Sequence, residues 1–220
     1  MFLNVTPLKK REFALLYSGQ TVSFLGSMLT YVAIPYQVYE ISHSSWYVGL
    51  LGTAQLVPLL VAALLGGAAA DSLDRRRMLL ISELVLALCS AALVVNARLA
   101  QPSLLALFGI SAAMSAVNGF HRPALEAMTQ ELVVHEDQPA AAALGSLRFS
   151  LGAIVGPATA GFVIAKLGVS AVYVIDALSF GGSLACLWAM APLPRKPVAA
   201  ESALGSIAEG VRYARSRQEL

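Results

Sequence analysis

Five ionisable side chains, Glu83, Arg122, Glu126, Arg148 and Asp176, stand within long apolar stretches of this chain. A charge in hydrocarbon is expensive, so such residues pair, face a polar cavity or handle an ion. Asp176 is the deepest acid by sequence, in Tyr-Val-Ile-Asp-Ala-Leu-Ser-Phe, and is the candidate for binding a proton, with helix packing as the alternative. Arg122 and Glu126 lie four residues apart, a spacing that permits an ion pair on one helix. Arg148 can attract an anionic substrate or pair with an acid. Uncharged polar residues extend the pattern. Gln20, Ser23, Ser27 and Thr30 recur at helical spacing, as do Ser111, Ser115, Asn118 and Arg122, so each set forms one stripe that must face a cavity or another helix.

Other chemistries lack their residues. His43, His121 and His135 have no metal-ligand spacing, and Cys89 and Cys186 sit singly in different apolar stretches, as small buried apolar residues do. There is no phosphate loop, no GxSxG element and no dinucleotide fingerprint. No enzyme activity, cofactor, metal or nucleic-acid partner is expected.

The elements that position these groups follow from composition. Of 220 residues, 57% are hydrophobic and 13% charged, against about 25% charged in a soluble domain. The charges cluster, leaving runs near or above the ~20 residues that span a bilayer as helix. Six spans are expected at roughly 13–40, 45–70, 77–98, 102–130, 138–166 and 169–192. The first is too long and too polar for a cleaved secretory signal. The runs do not alternate as the strands of a membrane barrel would. Eleven of the fifteen basic residues fall on one side: Lys9, Lys10 and Arg11, Arg75, Arg76 and Arg77, and Arg195, Lys196, Arg212, Arg215 and Arg217. That asymmetry predicts both termini in the cytoplasm. After a proline-rich exit, Leu204, Ile207, Val211 and Ala214 recur at helical spacing, the pattern of an amphipathic helix on a membrane surface. The expected organisation is an all-α membrane protein, a six-helix transmembrane bundle over 1–192 and a cytoplasmic linker with an amphipathic helix over 193–220.

Two motifs refine this reading. Residues 67–77 read Gly-Ala-Ala-Ala-Asp-Ser-Leu-Asp-Arg-Arg-Arg between two apolar stretches, and the fifth span carries Gly152, Gly156-Pro157 and Ala160-Gly161. The first resembles the loop between helices 2 and 3 of the major facilitator superfamily, with Ser72 in place of a basic residue and Asp74 in place of a glycine. The second resembles the antiporter motif GxxxGPxxGG of that superfamily, with Ala160 replacing one glycine. The acid at 74 is similar to the subgroup of siderophore and macrolide exporters, as are Val-Ala-Ile-Pro-Tyr-Gln-Val, His-Ser-Ser-Trp-Tyr-Val-Gly-Leu and Gly-Phe-His-Arg-Pro-Ala.

The resemblance implies the N-terminal half of a bacterial inner-membrane transporter whose second six-helix half is missing from the chain. It implies a cytoplasmic gate of Gly67, Asp71, Asp74, Arg75, Arg76, Glu126 and Glu131, in which Asp71 accepts hydrogen bonds from a helix of the partner half and the arginines pair with Glu126 or Glu131. It implies helix packing through Gly152, Gly156, Pro157 and Gly161. Spans 1 and 4 line the central path in this superfamily, which makes Gln20, Ser23, Ser27, Thr30, Asn118, Arg122 and Arg148 substrate-cavity candidates. The implied activity is proton-coupled export of a small, siderophore-like organic molecule by alternating access. Multidrug or macrolide efflux, and a non-transporting half-bundle that scaffolds or senses, are the alternatives.

Overall fold

The computed structural model describes residues 4–191, with side chains throughout except at residues 68 and 70–72. Six long helices account for nearly all of it: α1 (Arg11–Ser42), α2 (Ser45–Ser72), α3 (Arg75–Ala97), α4 (Leu104–Leu132), α5 (Gln138–Leu167) and α6 (Val169–Ala189). No strand occurs among the described residues. Connections this short force successive helices to run antiparallel. Their ends are set by local chemistry. Asp74 caps α3 by accepting a hydrogen bond from the Arg77 amide at 3.1 Å, and Ser103 caps α4 through the Ala106 amide at 3.3 Å. Gly168, alone between α5 and α6, has φ +80°, a conformation that favours a residue without Cβ.

Five helices, α2 to α6, are long and apolar enough to cross a membrane. The sequence predicts six spans, and α1 differs for a physical reason. It has ample length at 32 residues, but Gln20, Ser23, Thr30 and Gln37 dilute its apolar character, and all four are buried against other helices. In hydrocarbon a polar side chain needs a protein partner, so the most polar helix takes the middle of the bundle. It contacts α2, α4, α5 and α6. By contrast α2 exposes Leu56, Val57, Leu60, Val61 and Leu64, a face suited to lipid. The expected amphipathic helix over 193–220 lies outside the described residues.

The helices are held by three apolar clusters, of which two carry most of the buried side chains. One joins Leu29, Ile34, Leu86, Leu93, Leu107 and Phe180 from four helices. The other joins Leu16, Leu79, Met128 and Leu187 from the same four. Lipid tails are as apolar as these side chains, so close packing and hydrogen bonds between helices decide association. The tightest crossing is between α2 and α4, where a Cβ at Gly66 would strike the Gly119 carbonyl and one at Gly119 would strike the Ala62 side chain and the Ala63 backbone. Gly67, which the family resemblance puts in the gate, faces open space. The contact belongs to its neighbour.

Replacing Gly119 with leucine therefore forces two backbones apart. Overpacking of this kind costs about 1–3 kcal/mol, and Gly119→Leu is expected to lower the thermal unfolding midpoint of the detergent-purified protein. Gly161→Leu, at a site with nothing within 4 Å, is expected to leave it nearly unchanged.

Candidate functional site

Two outer helices each bring one acid to full burial. Glu83 on α3 and Asp176 on α6 are both 0% exposed, and the polar stripe of α1 reaches both. The Gln20 amide donates to Glu83 Oε1 at 2.7 Å and the Ser23 hydroxyl to the same oxygen at 3.4 Å. His121 of α4 brings its Nε2 within 3.2 Å of that oxygen. One turn or more along α1, Thr30 donates to Asp176 Oδ2 at 2.8 Å and Ser27 to Oδ1 at 3.3 Å, while Ser90 of α3 donates to Oδ2 at 2.7 Å. Further on, the Tyr173 hydroxyl donates to Gln37 at 2.8 Å. The stripe thus cross-links α1 to α3 and α6.

Glu83, His121 and the Gln20-to-Thr30 part of the stripe also border a groove of about 1210 Å³ formed mainly by α1, α2, α4 and α5. Its walls carry Gln20, Ser23, Ser27 and Thr30 from α1, Asn118, Arg122 and Glu126 from α4, and Arg148 from α5. The structure thus brings together every cavity candidate named from the sequence. Asn118 returns its amide to the Met114 carbonyl of its own helix at 2.9 Å. Arg122 and Glu126 share α4 and the groove but form no ion pair among the described residues. The Arg148 guanidinium lies over the Phe24 ring at 5.8 Å, with Phe149 tilted against that ring at 6.0 Å. Gly152 and Gly156 seat α5 on α1, since a Cβ at either would meet Phe24 or Met28. Pro157 sits within α5, and Gly161 points to open space.

At one end of the bundle lies the charged hairpin between α2 and α3. Arg75 pairs with Glu131 of α4 at 3.0 Å, both half-buried. Arg76 pairs with no acid among the described residues. It donates through Nε and Nη2 to the Leu187 carbonyl, at 3.1 and 2.9 Å, and to Trp188 at 3.2 Å. These carbonyls end α6, where the helix leaves acceptors without partners and a cation is favoured. Glu126 stands in the groove rather than beside either arginine. Asp74 caps α3, and Arg77 is exposed, 3.7 Å from Asp74. Asp71 falls in the last turn of α2, and its side chain lies outside the described residues. Sequence reasoning missed the Glu83–His121 contact, because it weighed His121 only as a metal ligand. The available signal was one acid alone in its apolar span and one histidine, beside Arg122, in another.

Five helices long and apolar enough to cross a membrane, packed around an open groove that Glu83 borders, make a multi-pass membrane protein. The family model described as a transmembrane secretion effector matches residues 3–220, and the chain belongs to that family of the major facilitator superfamily. It is similar to the enterobactin exporter EntS of Shigella boydii serotype 18, at 30% identity over 212 residues, covering 96% of this chain and 51% of the relative. The same protein from Shigella flexneri is also 30% identical, over 96% of this chain and 52% of the relative. That from Escherichia coli O157:H7 gives 30%, 96% and 51%. The chain thus spans about half the length of the curated relatives it matches.

Asp176 gathers three hydroxyl groups from two helices. At about 0.6 kcal/mol for each bond within a membrane protein, Asp176→Ala is expected to cost about 2 kcal/mol in reversible unfolding. Tyr173→Phe, which removes a single bond to Gln37, is expected to cost about a third as much.

Proposed function

We propose that this chain is the N-terminal six-helix half of a proton-coupled exporter of a small organic molecule, siderophore-like, in a bacterial inner membrane. The observation that carries the proposal is the groove. It carries Arg122, Glu126 and Arg148 in its walls, each without an ion pair among the described residues, so their charges are open to a ligand or a second half. The relatives' name as enterobactin exporters supports a siderophore as the molecule carried. Arg148, steadied on Phe24, suits an anionic group.

In this reading α1 is the sixth span, crossing in the shelter of its neighbours. Arg11, Arg75, Arg76 and Arg77 face the cytoplasm under the positive-inside rule, which puts both termini there, and 193–220 forms the linker to a second six-helix half. Asp71, Arg75, Arg76 and Glu131, with Gly67 and Asp74, form the cytoplasmic gate. Gly152, Gly156 and Pro157 fix α5 against α1. Asp176 and Glu83 are the seats available to a coupling proton, and alternating access between the halves moves the substrate. A second reading, macrolide or multidrug efflux, is favoured by Phe24, Met28, Tyr31 and Phe149 in the groove wall, a surface able to take bulky apolar groups.

Cells lacking their own siderophore exporter and expressing this chain joined to a C-terminal six-helix half are expected to release siderophore to the medium. A protonophore is expected to stop that release. Arg148→Ala, removing a charged contact worth about 1.5–3 kcal/mol, is expected to reduce it roughly tenfold or more. Release that survives the protonophore overturns proton coupling, and export of macrolides with siderophore retained selects the second reading. For the gate, Arg75→Glu is expected to impair export and the added change Glu131→Arg to restore much of it.

A further inference from the structure

The two buried acids are not equivalent. Both oxygens of Asp176 accept hydrogen bonds. Glu83 concentrates all its contacts on Oε1, from Gln20, Ser23 and His121, and its Oε2 is buried with no hydrogen-bond partner. It is the one such side-chain atom among the described residues. An ionised carboxylate with a bare oxygen is among the costliest groups to enclose in an apolar setting. Glu83 sits between the two larger apolar clusters, with Leu79 in one and Leu86 in the other, yet it borders the groove together with His121.

We infer that Glu83, backed by His121, is the proton-binding site of this half-bundle, with the proton carried on Glu83 Oε2. Binding forms one O–H bond and neutralises the carboxylate, leaving the three contacts at Oε1 in place. Release returns the proton to the groove, where His121 lies at the wall. The groups facing Glu83 are few. From α4 comes His121, with Arg122 and Glu126 in the same groove and more exposed. From α6 comes Asp176, close enough to interact electrostatically. From α1 come only the uncharged Gln20 and Ser23. Asp176, with both oxygens occupied, serves as a structural cross-link.

This inference rests on the proton-coupled reading. Infrared difference spectra of the purified chain in lipid vesicles, taken between about pH 5 and 8, test it. The expected result is a protonated-carboxyl band that titrates, moves on carbon-13 labelling of glutamate, vanishes in Glu83→Gln and persists in Asp176→Asn. Exposed glutamates titrate near about 4.3, below this window. His121→Gln is expected to move the midpoint by about one pH unit, tenfold in proton affinity, an effect a purely structural contact would not give. Should Glu83→Gln fail to fold, the labelled wild type and His121→Gln carry the test. A labelled-glutamate band that is absent or constant across the window, or a titrating band lost in Asp176→Asn instead, overturns the inference. A silent Glu83 with protonophore-sensitive export leaves the transport reading standing. A titrating Glu83 with protonophore-insensitive export overturns the transport reading alone.

Discussion

The arrangement of this bundle depends on where α1 can put its polar side chains. Hydrocarbon offers no partner for an amide or a hydroxyl, and α1 carries Gln20, Ser23, Ser27, Thr30 and Gln37 along one flank. Glu83 of α3 and Asp176 of α6 answer four of them, and Tyr173 answers the fifth. Because α3 and α6 supply these partners, they stand behind α1. That leaves α2, α4 and α5 to complete the open side. The groove is a consequence of this seating as much as of any residue within it.

Small residues carry the packing on the open side as the acids carry it behind. Gly66 against Gly119 lets the α2 and α4 backbones touch, and Gly152 with Gly156 admits Phe24 and Met28 to the face of α5. The first crossing rests on backbone and alanine contacts, while at the second Arg148 lies over the same Phe24 ring that Gly152 admits. The charged groups of that side, Arg122, Glu126 and Arg148, remain available within the groove. Polar cross-links on the back and steric seams on the front therefore divide the work of holding and of receiving.

Much of this was legible in the sequence, and the reasons differ by element. Helix positions could be read because apolar runs end at polar residues, at Asp74 before α3 and at Ser103 before α4, and these two residues also cap their helices. The stripe on α1 was visible from spacing alone, and so was its need for partners. Their identity was not, since Glu83 and Asp176 lie 60 and 146 residues from Ser23 and Thr30. The hairpin arginines showed their charge but not their targets. Arg75 found Glu131 as spacing and charge suggested, whereas Arg76 found main-chain carbonyls, which a search for opposite charges does not consider. Gly66 was hidden by its neighbour, because only rotation about the helix axis separates the two.

The carbonyls that Arg76 holds belong to the exit of the last helix, and the first helix grips the same place. Arg11 donates to the Ala189 carbonyl at 3.1 Å, and Glu12 accepts from the Ala191 amide at 2.9 Å. The chain therefore leaves the bundle through a clasp made by its own beginning and its first charged hairpin. Any pull exerted through residue 191 meets these charge-assisted hydrogen bonds first, together with Met190, which is buried in an apolar cluster beside them. Salt in the adjoining solution screens the exposed part of such a clasp.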